Sequence, residues 1–195
     1  MLYTCLTIIT SCFFSDYLVK KIFKSNFSVP GFVNACYTTY YSHKLIYNCP
    51  QVYFNDNSCI DNNIVNHLVL VTTGYSCYEM LNAIMNNDKI YVLHGGLSFL
   101  GCCYYLYNNK CYLITIAHLM ETSTILLNIM LINKTYLNKL LFFLTFMVYR
   151  LGIIFSYSLL NFNKFDYVYK SFILVFNSLN FFWGYKLILY ARKKY

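Results

Sequence analysis

The stretch from Leu140 to Leu160 reads LLFFLTFMVYRLGIIFSYSLL and holds a single charged residue, Arg150, in 21 positions. A helix that crosses the hydrocarbon core of a bilayer needs about 20 mostly apolar residues, and about 17 suffice. A run of this length and composition predicts a transmembrane helix by sliding-window reasoning.

Similar stretches recur along the rest of the chain. Together they give seven predicted spans: Leu2 to Val19, Val29 to Asn48, Ile64 to Met85, Ile90 to Tyr107, Cys111 to Ile132, Leu140 to Leu160 and Val168 to Tyr190. The first stretch lacks a basic start, and Lys20 and Lys21 follow it, which favours an uncleaved span over a signal peptide. We therefore expect an all-α, polytopic transmembrane helical bundle of about seven spans, or six if the first segment is not a span.

The overall composition agrees with lipid as the solvent. Of the 195 residues, 58% are hydrophobic and 11% are charged, whereas soluble domains have about 45 to 50% and about 25%. The net charge of +8 is spread over short gaps between apolar blocks, so nucleic-acid binding, which needs a clustered basic face, is not expected. The nine cysteines form no CxxC pair and no zinc-type spacing, so we expect no metal and no cofactor. Whether Cys49 and Cys59 pair in an oxidising lumen is left open.

The distribution of basic residues predicts the orientation. If seven spans alternate, one side collects nine of them: Lys20, Lys21, Lys24, Lys89, Lys134, Lys139, Arg192, Lys193 and Lys194. The positive-inside rule then places the C-terminus in the cytoplasm and the N-terminus in the lumen. The sequons that begin at Asn26 and Asn133 fall on the cytoplasmic side, so we expect neither to be glycosylated.

Five ionisable residues lie at membrane depth in this arrangement: Glu79, His94, His118, Glu121 and Arg150. A charge there costs about 2.5 to 3.5 kcal/mol, so such residues usually face the bundle interior or an aqueous cavity. Glu79 and His94 have similar depths on consecutive antiparallel spans and are expected to share a pocket. We expect Glu79 to be hydrogen-bonded across to the span that contains His94 and not to be exposed to lipid. Glu121 and Arg150 match in depth within about 2 Å, which predicts a buried ion pair.

Several of these groups can also be interpreted as purely structural. A lone histidine such as His94 is often a neutral, hydrogen-bonded member of a bundle. For Ser123 and Thr124, close packing between helices is the favoured interpretation. Trp183, near the cytoplasmic end of the last span, suits an interfacial aromatic belt.

Five segments carry a resemblance to a known family. They combine a Gly-Tyr pair with an acidic residue, a histidine motif, an acidic-Ser-Thr element ahead of Leu-Asn, an aromatic-rich span that ends in arginine, and a closing aromatic element. The segments are Thr73 to Leu81, Val92 to Gly96, Leu119 to Asn128, Phe142 to Arg150 and Phe182 to Lys186. In order and spacing they resemble the TLC domain family of lipid-handling membrane proteins. Together with the predicted spans, the resemblance divides the chain into a first span with a basic cytoplasmic loop over residues 1–28, a TLC-like transmembrane domain over 29–190 and a basic cytoplasmic tail over 191–195.

The resemblance also implies a function and a site. The family includes ceramide synthases and members without enzymatic activity that are linked to membrane lipid composition. Gly95 stands where the synthases carry a second histidine, and Leu119 and Thr122 follow His118 where they carry aspartates. We therefore expect a multi-pass protein of the endoplasmic reticulum that binds or senses membrane lipid. The implied lipid pocket comprises His43, His94, His118, Glu121, Ser123 and Arg150.

The alternative that the resemblance leaves open is an acyl-CoA-dependent acyltransferase of the ceramide-synthase kind, with a sphingoid base as acceptor. In that case His94 is the general base, and Glu79 or Glu121 orients it. A transporter is less consistent with the sequence, which shows neither repeated halves nor broken-helix Gly/Pro pairs.

Overall fold

The computed structural model describes residues 2–23, 28–54, 58–108 and 112–192. Within these ranges the chain is all-helical and contains no strand, so the expected fold class is confirmed at the level of an all-α protein. Asn26 of the first sequon and residues 193–195 of the basic tail lie outside the described residues.

The described ranges contain nine α-helices, which shorter helical turns join into seven long stretches. In chain order they are α1 (Leu2–Phe23), α2 (Val29–Asn48), α3 (Asn62–Met85), α4 (Lys89–Asn108), α5 (Tyr112–Ala117), α6 (Glu121–Ile132), α7 (Tyr136–Thr145), α8 (Ile154–Asn161) and α9 (Tyr167–Arg192). A 3-10 turn, His118–Met120, joins α5 to α6, and a π-helical segment, Phe146–Ile153, joins α7 to α8. Two further 3-10 turns are Pro50–Phe54 and Phe162–Lys164.

Three of these stretches are long and apolar enough to cross a membrane: Ile114–Ile132, Tyr136–Lys164 and Tyr167–Leu189. The apolar part of α1, Tyr3–Val19, is shorter. The predicted spans in α2, α3 and α4 are helical but are not among these three stretches. In α2 and α3 many of the polar side chains are buried against neighbouring helices, as for Thr38 and Ser76. Membrane-crossing length and apolarity are thus present in part of the bundle, and the count of seven spans stays a prediction.

Side-chain caps define where several helices begin. The Ser28 hydroxyl accepts a hydrogen bond from the Gly31 amide at 3.2 Å, and Pro30 stands in the first turn of α2. The Asp61 carboxylate accepts from the first amides of α3, and the Thr135 hydroxyl accepts from the Asn138 amide in α7. These contacts satisfy amides that have no partner within the helix.

The two ends of the bundle differ in chemistry. At one end, called here the disulfide end, Cys49 and Cys59 form a disulfide, which answers the question that their spacing left open. The Asn161 side-chain amide donates to the Tyr53 carbonyl at 3.2 Å, and the Lys164 ammonium donates to the Phe54 carbonyl at 3.0 Å. The opposite end, called the basic end, holds the turns between α3 and α4 and between α6 and α7.

Candidate functional site

A cavity of about 420 Å³ lies inside the bundle. Helices α3 to α9 supply its walls, and α2 contributes Asn34. The lining residues of α4 lie on one face of the helix, at intervals of one or three positions: Tyr91, His94, Leu97, Ser98, Gly101, Cys102 and Tyr105. Because an α-helix rises about 1.5 Å per residue, the 14 steps from Tyr91 to Tyr105 give the cavity a length of about 21 Å. The cavity therefore follows the helix axes through most of the bundle.

The cavity has two chemically different halves. The half toward the disulfide end is aromatic and aliphatic, and its lining includes Tyr105, Ile116, Tyr157, Tyr169 and Ile173. The middle and the half toward the basic end carry ionisable groups: Glu79, His94, His118, Glu121, Arg150 and Lys186. An elongated cavity with this division can accommodate an amphiphilic molecule.

Arg150 lies in the π-helical segment and is 8% exposed. Its guanidinium donates from Nε to the Ser123 hydroxyl at 2.8 Å, from Nη2 to the Thr124 hydroxyl at 3.0 Å and from Nη1 to the Asn180 side-chain oxygen at 3.4 Å. Its Cζ lies 5.9 Å from the centre of the Trp183 ring. π-helical turns inside α-helices occur frequently at functional sites.

The predicted ion pair between Glu121 and Arg150 is wrong. In the described part of the chain, no ion pair or hydrogen bond joins the two side chains, and the guanidinium instead reaches Ser123 and Thr124, which follow Glu121 on α6. The matched depths are compatible with this result because each residue of a helix is rotated from the next, so depth does not set direction. The Glu121 carboxylate lines the cavity with no hydrogen-bond partner among the described residues.

Glu79 and His94 lie side by side, on α3 and α4. Both line the cavity, as expected, but the distance between Glu79 Oε2 and His94 Nε2 is 3.8 Å, which is longer than a hydrogen bond. The predicted hydrogen bond from Glu79 across to α4 is therefore not formed among the described residues. The Tyr75 hydroxyl donates to the other carboxylate oxygen at 3.4 Å. The His94 ring packs edge to face against the Trp183 ring at 5.2 Å and the Phe176 ring at 5.8 Å. The imidazole is therefore positioned by packing against aromatic rings, and the Glu79 carboxylate lies beside it without a hydrogen bond to it.

His118 is buried where the 3-10 turn interrupts α5 and α6. Its Nε2 lies 2.8 Å from the Thr72 hydroxyl, which also donates to the Leu68 carbonyl at 2.9 Å. A hydroxyl has one proton, and that of Thr72 goes to the Leu68 carbonyl. His118 Nε2 is therefore the donor in its hydrogen bond with the Thr72 hydroxyl. Its Nδ1 is buried and has no hydrogen-bond partner in the described ranges.

Two residues lie elsewhere than the sequence suggested. His43, expected in the lipid pocket, is exposed on α2, where Nδ1 bonds to the Thr39 carbonyl at 2.8 Å and Nε2 lies 3.5 Å from the Tyr149 hydroxyl. It does not line the central cavity. Trp183, expected in an interfacial belt, packs inside the bundle against His94.

Sequence reasoning missed Asp16, which is 5% exposed in α1. It accepts hydrogen bonds from the Tyr78 hydroxyl and, at 3.3 Å, from the Ser28 hydroxyl. These contacts join α1 to α3 and to the start of α2. The signal was available, because an acidic residue inside an apolar stretch is a site candidate by the same rule that singled out Glu79. Asn180 carried no comparable signal.

Gly95 explains why a second histidine cannot stand beside His94 without a shift of the backbone. A Cβ atom at Gly95 would lie 2.8 Å from the backbone nitrogen of Met80 in α3. Helices α3 and α4 approach each other closely at this point, and that approach brings Glu79 next to His94. The glycine is therefore part of the geometry of the site.

The described ranges contain no cluster of three or more His, Cys, Asp or Glu side chains that could hold a metal ion. Comparison of the chain with known protein families, curated proteins and solved structures finds no match.

Proposed function

We propose that this chain is a seven-span membrane protein that binds or senses a lipid in its central cavity and thereby influences membrane lipid composition. The observation that carries the proposal is the elongated cavity with one apolar half and one half that bears ionisable groups. Its volume of about 420 Å³ falls in the range of about 300 to 1,000 Å³ that is typical of ligand pockets. Such pockets combine apolar walls with a few polar groups that orient the ligand.

A membrane setting agrees with the chemistry of the two ends. Disulfides persist in oxidising compartments, and the Cys49 to Cys59 disulfide lies at the opposite end of the bundle from Lys89 and Lys134. The positive-inside rule places those lysines in the cytoplasm. Both features support a lumenal disulfide end and a cytoplasmic C-terminus. The TLC-like order of motifs supports residence in the endoplasmic reticulum or a related endomembrane.

The second candidate is an acyl-CoA-dependent acyltransferase that acts on a sphingoid base. It is favoured by one observation, the placement of His94 beside Glu79 in the cavity wall. A carboxylate orients a histidine through an N–H···O hydrogen bond, which is about 2.7 to 3.2 Å long, and the 3.8 Å separation of Glu79 Oε2 and His94 Nε2 is longer. We therefore rank lipid binding first.

Lipid binding is tested with a variant that places a larger side chain in the apolar half of the cavity. A Cβ at Gly101 would meet only the Tyr105 ring, at 3.9 Å, so Gly101→Leu adds bulk inside the cavity without an immediate clash. The control is Leu100→Phe, because Leu100 is exposed on the outside of α4. We expect the mass spectrum of lipid that co-purifies in detergent to lose its main species in Gly101→Leu and to keep it in Leu100→Phe. Equal lipid content in both variants would contradict binding in the cavity.

The enzymatic alternative has its own assay. Purified protein is incubated with labelled acyl-CoA and a sphingoid base, and transfer of the acyl group is followed over time. If transfer is saturable and is lost in His94→Ala, the chain is an acyltransferase. Binding of lipid without turnover supports the leading proposal.

A further inference from the structure

The ligand class can be inferred from the way in which the bundle holds Arg150. Its three observed hydrogen bonds all go to neutral oxygens, those of Ser123, Thr124 and Asn180. In the described ranges no carboxylate lies within ion-pairing distance of the guanidinium. A buried positive charge is thus positioned firmly in the cavity wall without a matching negative charge in contact.

The guanidinium retains hydrogen-bonding capacity. An arginine side chain has five N–H donors, and the three bonds at Nε, Nη1 and Nη2 use three of them. Two donors, one on each terminal nitrogen, remain. The Phe146 ring lies 5.6 Å from Cζ and the Trp183 ring 5.9 Å, so aromatic surface surrounds part of the group. Two N–H donors on one plane match the two oxygens of a carboxylate or of a phosphate.

We propose that the cavity takes a single-chain amphiphile with an anionic headgroup, a fatty carboxylate or an alkyl phosphate, and that Arg150 binds that headgroup. The inference rests on the proposed function, because it specifies the lipid that the cavity receives. The alkyl chain lies in the apolar half, toward Tyr105 and Tyr157. A cavity of about 420 Å³ is near the lower end of the range of ligand pockets, which favours one chain over two.

The other charged groups of the cavity are of both signs. Lys186 lines the cavity toward the basic end, so a second positive charge stands near the path of a headgroup that enters there. Glu79 already accepts from Tyr75 and neighbours His94. Glu121 is the competing group, because an unpaired carboxylate could attract a cationic headgroup. A guanidinium keeps its charge in proteins, and two N–H donors of Arg150 are not used by its three hydrogen bonds. Arg150 is therefore the group that an anionic headgroup would bind.

The test compares four ligands that share one chain: palmitate, hexadecyl phosphate, hexadecanol and hexadecylamine. Delipidated protein in a nonionic detergent is titrated with each, and Kd is measured by competition against radiolabelled palmitate and, in parallel, against radiolabelled hexadecanol. We expect the better of the two anions to bind at least tenfold more tightly than the alcohol. The anion that binds more tightly then identifies the headgroup as a carboxylate or a phosphate.

Variants assign the preference to Arg150. In Arg150→Gln we expect the anions to bind no more tightly than the alcohol, while the Kd of hexadecanol stays within twofold and reports an intact cavity. Lys134→Gln removes one positive charge from an exposed turn outside the cavity and should keep the anion preference. If Arg150→Gln does not fold, the ligand series on the wild-type protein still decides the ligand class.

Two results would overturn the inference alone: equal binding of anions and alcohol to the wild-type protein, or tightest binding of the amine, which would indicate recognition by Glu121. An anion preference that persists in folded Arg150→Gln would remove Arg150 from the headgroup site. Absence of binding by all four ligands would overturn the proposed function together with this inference. The two failures are therefore distinguishable.

Discussion

Two adjacent glycines on α4 provide a matched test of the contact that builds the site. A methyl group added at Gly95 would lie 2.8 Å from the Met80 backbone nitrogen, whereas one added at Gly96 would meet only the flexible Met80 sulfur, at 3.5 Å. Each substitution replaces a glycine in the interior of a helix by alanine. This replacement by itself stabilises a helix by about 1 kcal/mol. Only Gly95→Ala must in addition push two helices apart.

The expected magnitude follows from these two contributions. Overpacking of a close contact costs about 1 to 3 kcal/mol. Gly96→Ala should therefore be neutral or stabilising by up to about 1 kcal/mol, and Gly95→Ala should be less stable than Gly96→Ala by about 1 to 3 kcal/mol. For a chain of this size, that gap corresponds to a Tm difference of about 2 to 12 °C.

The assay is thermal unfolding of each purified variant in the same detergent, together with binding of palmitate. Because Glu79 precedes Met80 and His94 precedes Gly95, a displacement of α4 from α3 should also weaken ligand binding in Gly95→Ala. Gly96→Ala should leave binding unchanged. Equal Tm values and equal binding in the two variants would show that α3 and α4 are not in close contact here.

Three further predictions concern other parts of the structure. Ser123→Ala removes the acceptor of the hydrogen bond from Arg150 Nε and should lower the free energy of unfolding by about 1.5 to 3 kcal/mol. The control Ser171→Ala, on an exposed face of α9, should change it by less than about 0.5 kcal/mol. Similar losses in the two variants would contradict the hydrogen bond between Ser123 and Arg150. Joint replacement of Cys49 and Cys59 by serine should cost about 3 kcal/mol, and a wild-type Tm that does not respond to reductant would speak against the disulfide. Asn133 should carry no glycan, and a glycosidase-sensitive mass shift assigned to this residue would reverse the proposed orientation.

The apolar runs alone were enough to predict much of the helical architecture. The expected stretch Val29 to Asn48 coincides with α2, and Leu140 to Leu160 lies within the helical stretch Tyr136–Lys164. This agreement has a simple cause, because long apolar runs leave the backbone no partner but itself and so form helices. Neither the 3-10 turn at His118 nor the π-helical segment at Phe146 was predicted, since no proline or glycine marks where they begin.

Depth along a span could also be estimated from the sequence. Counting residues from the span ends placed Glu79 and His94 at one level, and the structure brings them to 3.8 Å. The same counting placed Glu121 opposite Arg150, and there the side chains do not meet. The difference arises because counting fixes height along a helix but leaves open its rotation about its own axis.

The sequence by itself determined that the chain is helical and that charged side chains in apolar runs must find polar surroundings, since both follow from the cost of unsatisfied polar groups in an apolar medium. Only the tertiary structure decided which partners they find. His43 is exposed and Trp183 packs inside the bundle. Arg150 donates its hydrogen bonds to neutral oxygens and not to a carboxylate. These outcomes depend on the rotation and close approach of neighbouring helices, as at Gly95 and Met80, which are set by packing between segments distant in the chain.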